Sequence, residues 1–271
     1  MTKVYALANQ KGGVGKTTTA VNLAAYLAVR RQRTLVVDVD PQANATSSLG
    51  FDKQKVNPSV YDALVRDVPL IQSVRLTDQL HLDLAPSSPA LAGAEIELVP
   101  ALGREYRLKD ALAPHLDNYD YVLIDCPPSL GLLTVNALTA AQGVLIPVQC
   151  EYLPLEGLGL LIRTIDLVRQ RLNPGLKIFG LVMTMLDART NLGQQVIDEV
   201  RAYFPQQLFN AVIPRSVRLS EAPSYGQTIL QYAPTSPGAL AYQALADEVL
   251  ARDAILPLPL GEGQGEGEVK Q

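Results

Sequence analysis

The chain has 271 residues, 48% of them hydrophobic and 18% charged, with a formal net charge of −4. That is enough to bury a substantial core, and it excludes a protein that coats nucleic acid with its whole surface, which would be basic. Two cysteines without a CxxC pair exclude a disulfide scaffold and fit a reduced, cytoplasmic setting, and no apolar run reaches the roughly 18–20 residues of a membrane helix.

Lys3 to Ala8 is a short apolar and β-branched run, which predicts a buried strand. It leads straight into a glycine-rich loop, so the start of the chain lacks a signal-peptide pattern. Thr17 to Arg31 then reads as a helix, with Val21, Leu23, Ala24, Leu27 and Ala28 largely three and four apart. Thr34 to Val37 predicts a second strand, ending in Asp38-Val39-Asp40-Pro41. Leu80 to Leu84 predicts a third, followed by the turn-like Pro86-Ser87-Ser88-Pro89.

Further strands are predicted over Tyr121–Ile124, stopped by Pro127-Pro128, and over Val144–Val148, Ile178–Met185 and Phe209–Ile213. Helices are predicted over Pro154–Leu172, Leu192–Tyr203 and Gly238–Arg252, the first stopped by Asn173-Pro174-Gly175. Strands apolar on both faces that alternate with helices predict an α/β fold. Its mostly parallel, twisted sheet carries helices on both sides. No interior stretch reads as a linker, so one domain is expected over residues 1–256. Residues 257–271, mostly glycine and glutamate, are expected to be a disordered tail.

The run from Ala8 to Ala20, ANQKGGVGKTTTA, carries the chemistry. Glycines let backbone N–H groups close around phosphate oxygens, and the following helix points its positive end at the same place. Lys16 is placed to reach the β- and γ-phosphates and Thr17 to hold Mg²⁺ through its hydroxyl. The usual pattern has glycine five positions before Gly15, where this chain has Gln10, followed by a second lysine, Lys11. A lysine at the rim could reach a nucleotide on another subunit, or simply be solvated.

Asp38 and Asp40 end one strand and Asp125 ends another. Ligands of open α/β sheets bind beyond such ends, where a carboxylate can order Mg²⁺ or position an attacking water. His81, in an expected strand, and His115, in a polar loop, are expected to be structural or solvent-facing. Cys126 and Cys150 are expected to be buried small hydrophobes.

Lys11-Gly12-Gly13-Val14-Gly15-Lys16-Thr17-Thr18 resembles the deviant Walker A box of the ParA/MinD ATPases. Asp38 to Thr46 (DVDPQANAT) resembles the second box of the ParA (Soj) branch, which partitions chromosomes and plasmids. Asp125 to Ser129 (DCPPS), Pro147 to Tyr152 (PVQCEY) and residues 213–229 (IPRSVRLSEAPSYGQTI) are further matches. The resemblance runs from about residue 3 to residue 252.

It implies a P-loop ATPase whose homodimer sandwiches two ATP. Lys11 contacts the partner's nucleotide and Lys16 its own, so ATP binding and dimerisation become one event. Asp40 orients the nucleophilic water, Asp38 lies nearer the metal, and Asp125 holds Mg²⁺ through water. The loop after Met185 and the segment Ile213-Pro214-Arg215 flank the adenine.

The output expected from the resemblance is non-specific double-stranded DNA binding by the ATP dimer, released on hydrolysis and stimulated by a ParB-like centromere-binding protein. The protein would then be cytoplasmic and nucleoid-associated. Arg163, Arg169, Arg171, Lys177, Arg189, Arg201, Arg215 and Arg218 give a modest local basic excess over Asp166, Asp187, Asp198, Glu199 and Glu221. The resemblance assigns DNA-phosphate contacts to Arg189 and Arg218, which are blind to base sequence.

Only Met1-Thr2 precede Lys3, which leads us to expect no sequence-specific operator binding. A membrane-cycling, MinD-like role needs a basic amphipathic C-terminal helix, and PLPLGEGQGEGEVKQ is acidic and broken by glycine and proline. A small-molecule enzyme on the same fold is the other alternative, although no substrate-specific motif stands out.

Overall fold

The structure is a computed structural model that describes residues 1–151 and 154–255. Among these residues, eight strands form one sheet: β1 (Lys3–Leu7), β2 (Thr34–Asp38), β3 (Arg75–Leu76), β4 (Leu82–Ala85), β5 (Tyr121–Asp125), β6 (Gly143–Gln149), β7 (Lys177–Leu186) and β8 (Leu208–Pro214). Their order across the sheet is β3-β4-β2-β5-β1-β6-β7-β8, and every pairing is parallel except β3 with β4.

The helices between them are α1 (Lys16–Val29), α2 (Asn44–Ser48), α3 (Val60–Val65), α4 (Leu91–Glu97), α5 (Arg107–Leu112) and α6 (Leu132–Ala140). They continue as α7 (Pro154–Arg171), α8 (Asn191–Tyr203), α9 (Val217–Glu221), α10 (Ile229–Tyr232) and α11 (Pro237–Ile255).

Alternation along the strands explains why they read as apolar throughout. Tyr5, Leu7, Val36, Leu123 and Leu145 face α1 and α11, with Leu23, Leu27, Tyr242 and Leu245. Val4, Ala6, Leu35, Val37, Val122 and Ile124 face the opposite layer, with Leu91, Leu108, Leu133, Leu138 and Leu161. Burial on both faces gives a double-wound sheet its stability through apolar area removed from water. From β1 the chain moves to β2 and its neighbours on one side, and between β5 and β6 it crosses β1 to build the other side. The strand order therefore reverses beside β1, and the crevice beyond its carboxyl end is where such a sheet binds ligands.

Two expectations need correction. His81 is not in a strand: Gln79 to Leu82 form a turn, closed by Leu82 N–H on the Gln79 carbonyl, and His81 is exposed with φ of 67°. His115 lies in a 3₁₀ turn over Ala113–Asn118 rather than in a loop. Both cysteines are buried and free, as expected. The expected tail, residues 257–271, and Tyr152 of the PVQCEY match lie outside the described residues. No helix among the described residues is long and apolar enough to cross a membrane.

Candidate functional site: a two-lysine phosphate loop

The loop from Ala8 to Gly15 closes over the carboxyl ends of β1 and its neighbours. Gly13 (φ 74°) and Gly15 (φ 88°) hold left-handed backbone that residues with a Cβ rarely adopt, and Gly15 starts α1. Val14 is buried beneath the loop, and its carbonyl accepts the Thr184 hydroxyl of β7 at 2.9 Å. Asn9, also buried, donates its amide to the Pro147 carbonyl of β6 at 2.7 Å. These two side chains tie both limbs of the loop to the adjacent strands.

The two lysines differ sharply in setting. Lys16 is 7% exposed, and its ammonium turns into the loop to donate to the Lys11 carbonyl at 3.2 Å. Burial pushes its pKa down, opposed by its acidic neighbours, Asp125 first. Lys11 is exposed, and among the described residues its ammonium makes neither a hydrogen bond nor an ion pair. Gly12 and Gly13 are exposed beside it, and a Cβ on Gly12 would meet no atom of this chain within 4 Å.

The carboxylates also divide. Asp38 is fully buried and satisfied: it accepts the Thr46 N–H and hydroxyl, each at 2.8 Å, and the Asp40 N–H at 3.1 Å. It fixes the path of residues 39–46. Asp40 accepts the Gln42 N–H at 2.9 Å, and its carbonyl takes the Ser87 hydroxyl at 2.7 Å. Asp125 is fully buried, and among the described residues neither of its oxygens makes a well-formed hydrogen bond, the Thr17 hydroxyl acting on it only weakly.

Asp125 is the register partner of both Leu7 and Asp38. Burial and then the Asp38 charge raise its pKa well above the carboxylate range, against the opposing pull of the Thr17 hydroxyl and the Lys16 ammonium. A charge-crowded carboxylate beside a hydroxyl offers hard oxygen donors of the kind a divalent cation takes.

A cavity of about 360 Å³ opens next to the loop, lined by Gly15, Thr18, Met185, Ile213, Pro214, Arg215 and neighbours. It has the size and the partly apolar lining of a planar-ring pocket. Met185 bends into it with a φ of 56°. Arg215 holds its place through its N–H on the Leu186 carbonyl at 2.9 Å and an ion pair with Glu151.

A family model described as an AAA domain matches residues 2–178. The chain is 58% identical over 251 residues to the sporulation initiation inhibitor protein Soj of Bacillus subtilis, covering 93% of this chain and 99% of that protein. It is 53% identical to the chromosome partitioning protein ParA of Myxococcus xanthus, covering 93% and 89% respectively.

The chain belongs to the ParA/Soj family of partitioning ATPases.

Among solved structures it resembles the cobyrinic acid a,c-diamide synthase of Mycobacterium smegmatis with bound ADP and magnesium. The TM-score is 0.84 at 42% identity, with 94% of this chain and 96% of that one covered.

The two candidate DNA arginines are both exposed, and neither is free. Arg189 is 86% exposed and forms a two-pronged pair with Asp187, at 2.6 and 2.9 Å. Arg218, also exposed, pairs with Glu221 at 3.1 Å and lies 6.0 Å over the Tyr232 ring. Sequence reasoning missed Asn9, Thr46, Ser87 and Thr184. Asn9 carries a local signal, an Asn two residues before a loop N–H. Thr184 and Ser87 are distant in sequence and carry none.

Proposed function

We propose that this chain is an ATP-dependent dimerising ATPase. Its ATP-bound dimer binds non-specific double-stranded DNA to drive chromosome or plasmid partition, and hydrolysis releases it. The observation that carries this reading is the contrast, in one loop, between a buried, inward-turned Lys16 and an exposed Lys11 whose ammonium has no partner among the described residues.

Lys16 takes the β- and γ-phosphates of its own ATP, with the backbone of Gly12, Gly13, Val14, Gly15, Thr17 and Thr18 around them. Lys11 reaches the ATP of a second copy and neutralises charge developing on the transferred phosphoryl group. Two ATP thus lie between two copies, and the open space over Gly12 receives the partner's loop.

Asp40 orients the attacking water. Thr17 and Asp125 fit Mg²⁺: a hydroxyl and a buried carboxylate with no well-formed hydrogen bond among the described residues are hard-oxygen donors. Asp38, with its oxygens taken by Thr46 and Asp40, serves that centre by holding the loop in place. Bound Mg²⁺ supplies charge neutralisation on the phosphates. Pro214 and Arg215 flank the adenine.

Arg189 and Arg218 meet DNA phosphates, a ParB-like protein stimulates turnover, and the protein works in the cytoplasm on the nucleoid. The partition name of the relative at 53% identity supports this output. One observation favours a second reading, a small-molecule enzyme: the 42%-identical structure bears a synthase name. Gel filtration and random-sequence duplex binding with ATP, ADP and no nucleotide separate the two. ATP-specific dimerisation with ATP-specific DNA binding is expected. An ATP-bound protein indifferent to DNA at low salt would defeat the partition reading.

A further inference from the structure

Lys11 is exposed at its tip and fixed at its root. Its N–H donates to Asn9 Oδ1 at 3.0 Å, and its carbonyl accepts the Lys16 ammonium at 3.2 Å. Asn9 in turn donates its amide to the Pro147 carbonyl at 2.7 Å and is 7% exposed. Both partners of the Asn9 side chain are backbone groups of fixed polarity, so the amide has one possible orientation. Its oxygen must face the Lys11 N–H and its nitrogen the Pro147 carbonyl.

We infer that Asn9 is a positioning residue for Lys11: it anchors the root of the rim lysine to β6 so that the ammonium is held ready for a second copy's phosphate. This rests on the in-trans role of Lys11 proposed above.

The physical case is one of division of labour. The loop's return limb is fixed at Val14 by Thr184 and at α1 by Gly15. Gln10 to Gly13 is exposed, and a Cβ on Gly12 or Gly13 would touch nothing. Without Asn9, the N–H of Lys11 would have no partner in this chain, and the tip would be held from the Lys16 side alone. Lys16 is also the group that must serve the phosphates. Asn9 is therefore the anchor that makes no demand on the catalytic ammonium.

A flexible lysine loses freedom when it docks, and a fixed root reduces that loss. The short Asn side chain is suited to the task because one amide presents an acceptor two residues ahead and a donor to the next strand.

The test compares Asn9→Ala, Asn9→Ser and Lys11→Ala. ATP affinity is measured at concentrations where the protein is monomeric, and ATP–Mg²⁺-dependent dimerisation by analytical ultracentrifugation. Asn9→Ala is expected to bind ATP within about threefold of wild type and to dimerise roughly tenfold more weakly or worse. Its kcat should fall while the KM for ATP stays near wild type.

Asn9→Ser keeps an oxygen for the Lys11 N–H and should recover part of the loss. Should Asn9→Ala melt early, Asn9→Ser carries the same comparison. Adding Asn9→Ala to Lys11→Ala should lower residual turnover no further, because the anchor acts through that lysine.

Wild-type dimerisation by Asn9→Ala, alongside a defective Lys11→Ala, would overturn the anchor alone. Equal loss of ATP affinity and dimerisation in both Asn9 variants would also overturn it, as general loop collapse. Normal dimerisation by Lys11→Ala would overturn the in-trans reading itself, a result that does not involve Asn9.

Discussion

Replacing Asp125 with alanine should make the nucleotide-free protein more stable while removing its response to Mg²⁺ and ATP. Both carboxylate oxygens are buried without a well-formed hydrogen bond among the described residues, and Asp38, the register partner, adds repulsion. An unsatisfied buried polar group costs about 1–3 kcal/mol, and more when charged. Relief of that cost, less the packing removed with the side chain, should leave Asp125→Ala about 1–2 kcal/mol more stable. At roughly 2–4 °C per kcal/mol for a domain near this size, the melting midpoint should rise by several degrees.

Wild type should gain about 2.7 kcal/mol at ATP–Mg²⁺ one hundredfold above Kd, and the variant far less. The two melting curves should therefore exchange order when ATP and Mg²⁺ are added. Differential scanning calorimetry with ATP, with ATP plus EDTA, and without nucleotide reads this directly. An apo Asp125→Ala that melts below wild type would refute the reasoning, because the carboxylate would then be satisfied within the chain.

Other perturbations separate the remaining roles. Gly12→Val adds side-chain atoms into space that this chain leaves open, so it should fold and bind ATP yet stay monomeric by gel filtration. Asp40→Ala should keep ATP, accumulate as a dimer and lose most hydrolysis, with a stability change of about 1 kcal/mol for the missing hydrogen bond from the Gln42 N–H; unchanged steady-state turnover would move the water-positioning role elsewhere. Arg189→Glu or Arg218→Glu should weaken binding to every duplex alike and reduce the salt slope by roughly one for each DNA phosphate no longer neutralised. The acids paired with them give the opposite test: Asp187→Asn and Glu221→Gln should each strengthen ATP-dependent DNA binding, and weaker binding in both would move the DNA surface away from these pairs.

The parts of the fold that announced themselves in sequence did so through contrast. β1, its loop and α1 combine an apolar run, a glycine turn and a buried helix in immediate succession. Helix α6 gave no such contrast. None of its residues is exposed, so Leu132 to Ala140 carries no polar face and no helical period. β3 is two residues long and antiparallel, below what any periodicity can register.

The candidate site divides the same way. Its charged residues were legible because three carboxylates after strands and two lysines in a loop are conspicuous. What Asp38 does with its oxygens was not legible, because its partners, Thr46 and the Asp40 N–H, are ordinary residues until the turn brings them round.

One loop thus holds two identical side chains in opposite environments, and the difference is made by neighbours rather than by the lysines. Lys16 begins a helix that is buried along nearly its whole length, so its ammonium has little water and must find oxygen inside the loop. Lys11 stands on the stretch that no strand or helix covers, and its charge stays in solvent. An ammonium already partly desolvated adds strength to a phosphate contact within the chain. An ammonium still hydrated costs little to keep exposed and gains most where a second surface excludes water from it.

The first arrangement suits binding and the second suits association. Coupling between them runs through one peptide unit, since the carbonyl that Lys16 holds belongs to Lys11. Occupancy of the phosphate site and readiness for a second copy are therefore adjacent events in the same six residues, Lys11 to Lys16. A substitution that spares one lysine but loosens that peptide should uncouple them.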